Sequence, residues 1–217
     1  MKFGNAHQGV KRIFTAEILG LLASICLTLT LGFVALGVVT VDTKSTGAAI
    51  ASFGGMAIFG LGAVVLAIIS FIIEIIGVSN ASKDEGSFKI ALYLIIASIV
   101  VTVVSGIFSK NETVSGICTV LGDVIRLAIT IMIIEGIRHL AAILNDSDME
   151  NRGTNLFKVI IVIYALIILA RIISLIFSGT GSKVLSGILV FGAGILSIIQ
   201  YILYLIYLSK ARKMLAA

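Results

Sequence analysis

The stretch Thr113–Leu144, TVSGICTVLGDVIRLAITIMIIEGIRHLAAIL, is apolar along its whole length, yet it holds Asp123, Arg126, Glu135, Arg138 and His139. A helix rising ~1.5 Å per residue needs about 20 residues to cross a hydrocarbon layer of ~30 Å. This run is long enough. Charge at membrane depth is costly, so each of those side chains needs a partner or a function. Reading the stretch as a membrane helix sets the solvent for the rest of the chain.

The composition agrees. Of 217 residues, 59% are hydrophobic and only 12% are charged, and the mean hydropathy is +1.19. Soluble domains carry roughly 25% charged residues. A soluble fold of this length has too little interior for so much apolar surface. Six apolar runs occur, at about 13–41, 49–78, 88–108, 114–144, 156–178 and 184–208. The second and fourth would reach ~45 Å, so they must tilt or extend beyond the hydrocarbon. Strand alternation is absent, which excludes a barrel. With no Pro in the chain, any helix break must come from Gly or Ser. With no Trp, the interfacial belt rests on Tyr, Lys and Arg. The polar start with Lys2, Lys11 and Arg12 precedes an apolar run about twice the length of a signal-peptide core of roughly 7–15 residues. A retained first span is expected. The expected fold is an all-α polytopic membrane protein: one transmembrane domain over 1–217 with six transmembrane helices.

Basic residues set the orientation. Eleven of the sixteen Lys and Arg residues fall on one side: in the N-terminal tail, in the 79–89 loop, across 138–158 and in the C-terminal tail. Lys44, Lys110 and Lys183 fall on the other side, while Arg126 and Arg171 lie inside spans. The bias places both termini in the cytoplasm. The outer loops, 42–46, 109–113 and 178–183, are short. The sequon Asn111-Glu112-Thr113 lies against the membrane and carries little weight.

The chain also repeats. Phe88-Lys89 and Ser105-Gly106-Ile107-Phe108-Ser109 bound the third run; Phe157-Lys158 and Ser174-Leu175-Ile176-Phe177-Ser178 bound the fifth. Ser115-Gly116-Ile117 in the fourth run matches Ser186-Gly187-Ile188 in the sixth. Ala23-Ser24-Ile25, Thr28 and Gly32 match Ala97-Ser98-Ile99, Thr102 and Gly106. These matches predict three helical hairpins, at about 13–78, 88–144 and 156–208, repeated in parallel as in some transporters.

Several function classes are poorly served. No basic run carries interleaved aromatics, so no nucleic-acid partner is expected. Cys26 and Cys118 are two isolated apolar-run residues, without Cys or His at ligand spacing; this excludes a disulfide framework and leaves no metal site or cofactor expected. No HExxH, GxSxG or phosphate-binding loop occurs, and no enzyme is expected.

The deep charges define the candidate ligand site. Asp123 lies about ten residues, roughly 15 Å, from the outer end of its span, with Arg126 one turn deeper on the same face. Arg171 lies roughly 10 Å from the outer end of the fifth span. Asp123 can pair with Arg126, with Arg171 or with both. Two Arg against one Asp leave a positive charge to meet an anionic group, backbone carbonyls or the interface. In the repeat, Thr28 and Thr102 occupy the positions equivalent to Arg171, so both join the candidate site. Glu17, Glu74, Glu135 and His139 sit near the cytoplasmic helix ends. They read as interfacial acids or as an inner vestibule with a titratable His139, and Glu135 has Arg138 and His139 within one turn. Ala16, Gly20, Ser24, Thr28 and Gly32, four apart, form a small-residue ladder suited to close helix packing. Gly54, Gly55, Gly60 and Gly62, with Gly187, Gly192 and Gly194, extend that theme. Gly60-Leu61-Gly62 and Gly192-Ala193-Gly194 are the places where an unwound helix could bind a substrate or ion.

Together these features predict a small transporter, channel or substrate-binding membrane subunit of the plasma or inner membrane, handling an anionic or polar small solute. The alternative is a non-transporting assembly, scaffold or immunity-type protein that docks other membrane proteins through small-residue helix faces. Expected partners are the lipid bilayer and either a second copy or a larger membrane complex.

Overall fold

A computed structural model describes the backbone of residues 2–42, 46–108, 112–179 and 183–216, with side chains described over 2–30, 57–108, 114–173, 192 and 195–216. Among these residues the chain is all-helical. Six helices follow one another: α1 (Gly4–Asp42), α2 (Thr46–Ala81), α3 (Gly86–Ile107), α4 (Glu112–Ile143), α5 (Ser147–Gly179) and α6 (Lys183–Ala216). Each is long and apolar enough to cross a membrane. The helices run past the apolar stretches that announce them. α1 starts well before Ile13, α5 well before Leu156, and α6 continues beyond Leu208. Hydropathy marks the length that lipid must cover, whereas a helix continues until its backbone is capped or broken.

Two compact units make up the chain. One comprises Met1–Lys11 with Gly77–Ala217; the other is Arg12–Ile76. In the larger unit α3 packs on α4, α4 on α5 and α5 on α6. Its interior is built from Phe88 and Ile95 of α3, Ile133, Ile134, Ile137 and Leu140 of α4, Ile160 of α5 and Leu208 of α6, all essentially inaccessible. Further along α5, Ile163 and Ile167 form a second cluster with Ala170, Leu196 and Leu203. Lipid tails are as apolar as these side chains, so association rests on close packing. Glycine supplies the room at Gly136 and at Gly9, among others. A Cβ on Gly136 would lie 2.6 Å from the Phe88 ring, and one on Gly9 would lie 2.6 Å from the Gly77 carbonyl oxygen.

Acids cap the N-terminal ends of α1, α3 and α5 in this unit. Asp84, in the α2–α3 turn, accepts the Ala6 amide at 2.7 Å and the Asn5 side-chain amide at 3.0 Å, closing the first turn of α1. Glu85 caps α3, accepting from the amide of Ser87 at 3.3 Å and from its hydroxyl at 3.2 Å. Between α4 and α5, Asn145 takes a left-handed φ of 57°. The Asp146 amide then turns back to the Ala141 carbonyl at 2.9 Å, and the Asp146 carboxylate caps α5 through the Met149 amide at 3.0 Å. Asn tolerates that backbone better than other residues with a side chain, and Asp is a preferred N-cap.

In the smaller unit α1 packs on α2. Ser70 Oγ donates to the Ala16 carbonyl at 2.7 Å, and a Cβ on Gly60 would stand 3.6 Å from the Thr30 methyl. Ile13, Ala16, Ala23 and Ala63 are buried. The small-residue ladder is only partly used here: Ala16 lies in the seam, but Ser24 and Thr28 are exposed. Residues four apart rotate about 40° per step around a helix of ~3.6 residues per turn, so the ladder winds away from the seam. A seven-residue step, Ala16 to Ala23 to Thr30, rotates only about 20° and stays with it. Gly32, Gly54 and Gly55 lie outside the residues with described side chains, as do Gly187 and Gly194.

Candidate functional site

The α4–α5 contact decides where Asp123 pairs. Arg171 Nε stands 2.7 Å from Asp123 Oδ2. Asp123 is 18% exposed and Arg171 is 39% exposed at the side chain. Both contacting atoms are inaccessible, yet neither completes a hydrogen bond. At that distance the contact is an ion pair whose N–H is not aimed at the oxygen; Coulomb attraction rather than a directed hydrogen bond holds it. The pair sits one helical turn beyond Ile167, at the margin of the second apolar cluster, where low polarity strengthens the attraction.

Arg126 is exposed and acts electrostatically on Asp123 from one turn along α4. Its carbonyl accepts the hydroxyl of buried Thr130 at 2.9 Å. Two guanidinium groups therefore act on one carboxylate, and they do so from different positions: one in contact across the helix interface, the other along the helix.

The two threonines are differently placed. Thr102 Oγ1 donates to the Ser98 carbonyl of its own helix at 2.9 Å and is exposed. Thr28 belongs to the smaller unit; its Oγ1 donates to the Ser24 carbonyl at 2.9 Å. Each hydroxyl hydrogen is thus engaged by the preceding turn, and each oxygen keeps only its acceptor capacity for a ligand.

The acids near the helix ends divide as well. Glu135 meets Arg138 at 2.6 Å, as the three-residue spacing predicts. His139 does not turn to Glu135. Its Nδ1 lies 3.3 Å from Glu85 Oε1, on the acid that caps α3. Across a helix pair the α3 cap is nearer to the exposed His139 ring than the acid one turn behind it. Glu17 and Glu74 lie in the smaller unit, and each has an interaction partner of its own. Among the described residues, no three His, Cys, Asp or Glu side chains gather into a metal-sized group.

Sequence reasoning passed over Asp84 and Glu85. Their signal is local: two acids directly before an apolar run, where a helix N-terminus favours negative charge. It also passed over Tyr207. This residue is buried, its hydroxyl is 3.5 Å from the Ile134 carbonyl, and it closes over Gly153 together with the Arg138 stem. Gln200 and Tyr164 form a further buried polar contact at 3.4 Å between α6 and α5.

No family model, no curated protein and no solved structure matches this chain.

Proposed function

We propose that the protein is a small transporter, channel or substrate-binding membrane subunit whose ligand is an anionic or polar small solute. One observation carries this reading: Asp123 contacts Arg171 across α4 and α5 at 2.7 Å while Arg126 acts on the same carboxylate from one turn away. The local balance is one negative charge to two positive ones, at a depth where charge is costly. An anion that approaches Arg126 meets a guanidinium already held beside an ion pair, and Asp123 can yield Arg171 to it by exchange of partners. Thr102 adds an acceptor rather than a donor.

The architecture that accompanies this reading is three hairpins in parallel repetition, with both termini cytoplasmic, in the plasma or inner membrane. The side chains are in keeping with the repeat. Ser24 bonds Leu21 and Thr28 bonds Ser24; at the matching positions Ser98 bonds Ile95 and Thr102 bonds Ser98, with all four distances between 2.7 and 2.9 Å. Arg171 replaces this hydroxyl in the third copy and marks the place where the repeats differ.

The test is solute flux and ligand retention in proteoliposomes made with the full chain and with Asp123→Asn, Arg126→Gln and Arg171→Leu. Loss of flux or of a co-purifying solute in these variants, with helicity retained, is the expected result. Unchanged flux and retention in folded variants would remove the basis of the proposal.

A second reading, a docking or scaffold protein, rests on the α1 face that bears Ser24 and Thr28. Both residues are exposed, and both hydroxyls are bonded within their own helix. Such a face is small and polar-satisfied, which suits close approach of another membrane helix. A constant protein partner on gentle purification, lost with Ser24→Leu or Thr28→Leu, would favour it.

A further inference from the structure

Beside the Arg12 end of the smaller unit lies an open groove of about 390 Å³, lined by Arg12 and Thr15 of α1 and by Ile73 and Ile76 of α2. The residues on each wall are one turn apart, so each helix presents a coherent strip. One wall carries a guanidinium and a hydroxyl; the other carries two branched alkyl chains. Arg12 is exposed at the point where the sequence changes from polar to apolar, and Ile76 is 42% exposed. Glu17 and Glu74, the acids of this unit among the residues with described side chains, are not in the lining.

A groove with one cation on one side and alkyl chains on the other matches a molecule that carries both complements. Free phosphate would use Arg12 and leave the isoleucines wet. A hydrocarbon tail alone would use the isoleucines and leave Arg12 without an anion. A zwitterionic lipid brings its own cation to compete with Arg12 for the phosphate. We propose that this groove is a binding site for an anionic phospholipid. Its phosphate sits on the Arg12 guanidinium, and the first methylenes of an acyl chain lie along Ile73 and Ile76. Arginine holds phosphate oxygens in a two-pronged geometry, and a basic group near a charged membrane surface contributes measurably to lipid attraction. The site is independent of the Asp123–Arg171 pair and of whether the protein transports anything.

The test uses the full chain in detergent with equal amounts of phosphatidylglycerol and phosphatidylcholine, and mass spectrometry of the intact protein to count retained lipids. The wild type is expected to retain phosphatidylglycerol preferentially. Arg12→Gln should reduce that preference about fivefold. Arg12→Lys should keep most of it, which separates charge loss from misfolding. Lys158→Gln, an equal loss of charge on another exposed residue, should leave the preference intact. An undiminished preference in Arg12→Gln, an equal drop in Lys158→Gln, or displacement of the lipid by millimolar inorganic phosphate would each overturn the assignment.

Discussion

Arg171 approaches Asp123 to 2.7 Å across the α4–α5 contact, but its Nε–H is not aimed at the carboxylate oxygen it touches. A charge pair of this kind ties two helices together and can still exchange partners, because it depends on proximity more than on direction. Asp123→Asn and Arg171→Leu are each expected to destabilise the protein. Their combination is expected to cost less than the sum of the two. A double-mutant cycle in a steric-trap or detergent unfolding assay should return a coupling of about 1–3 kcal/mol. A coupling near zero would mean the contact contributes only position.

Two glycines on α4 should respond with opposite sign. Gly136 faces the ring of fully buried Phe88, which has nowhere to move. Gly136→Ala is therefore expected to cost about 1–3 kcal/mol through overpacking. Gly122 has no heavy atom within 4 Å of an added Cβ. Gly122→Ala should be neutral or stabilising by up to about 1 kcal/mol, from helix propensity. Thermal melts of the pair in one detergent settle the matter, and equal effects would contradict the packing described.

Asp84→Ala removes the carboxylate oxygens that accept from the Asn5 side chain and the Ala6 amide. The expected loss is about 1 kcal/mol, concentrated in the first turns of α1. Hydrogen exchange should quicken over residues 4–8 and change little over the buried part of α4. Asp84→Asn, which keeps an acceptor, should fall between the two.

His139→Ala should move stability by less than about 1 kcal/mol, because the ring is 66% exposed and exposed pairs contribute little. Glu85→Ala should cost more, since Glu85 also caps α3 through Ser87. Equal melting temperatures for the two variants would show that the cap contributes nothing.

The sequence carried the solvent, the number of helices and one contact of the candidate site. Lipid imposes a length on every span, so six apolar runs translate directly into six helices. Asp123 and Arg171 stood out because each is a charge within an apolar run, and few opposite charges lie within such runs. The remainder was hidden for identifiable reasons. Helix ends over 4–12, 147–155 and 209–216 are polar, and hydropathy does not register them. The His139–Glu85 contact joins residues on different elements, and His139 has a nearer acid in sequence, so spacing alone favoured Glu135. The four-residue ladder on α1 looked like a packing seam, but the rotation of the helix carries Ser24 and Thr28 out of it.

The Asp84 cap has a consequence for synthesis. The first turn of α1 is closed by a residue 79 positions further along the chain. At about 5–20 residues per second, several seconds pass between the emergence of Asn5 and that of Asp84. Throughout that interval the amino end of the first helix lacks its final anchor while the first two spans enter the membrane. The order of manufacture therefore leaves the amino end of α1 without this anchor while α1 and α2 are made, and fixes it only once Asp84 has emerged.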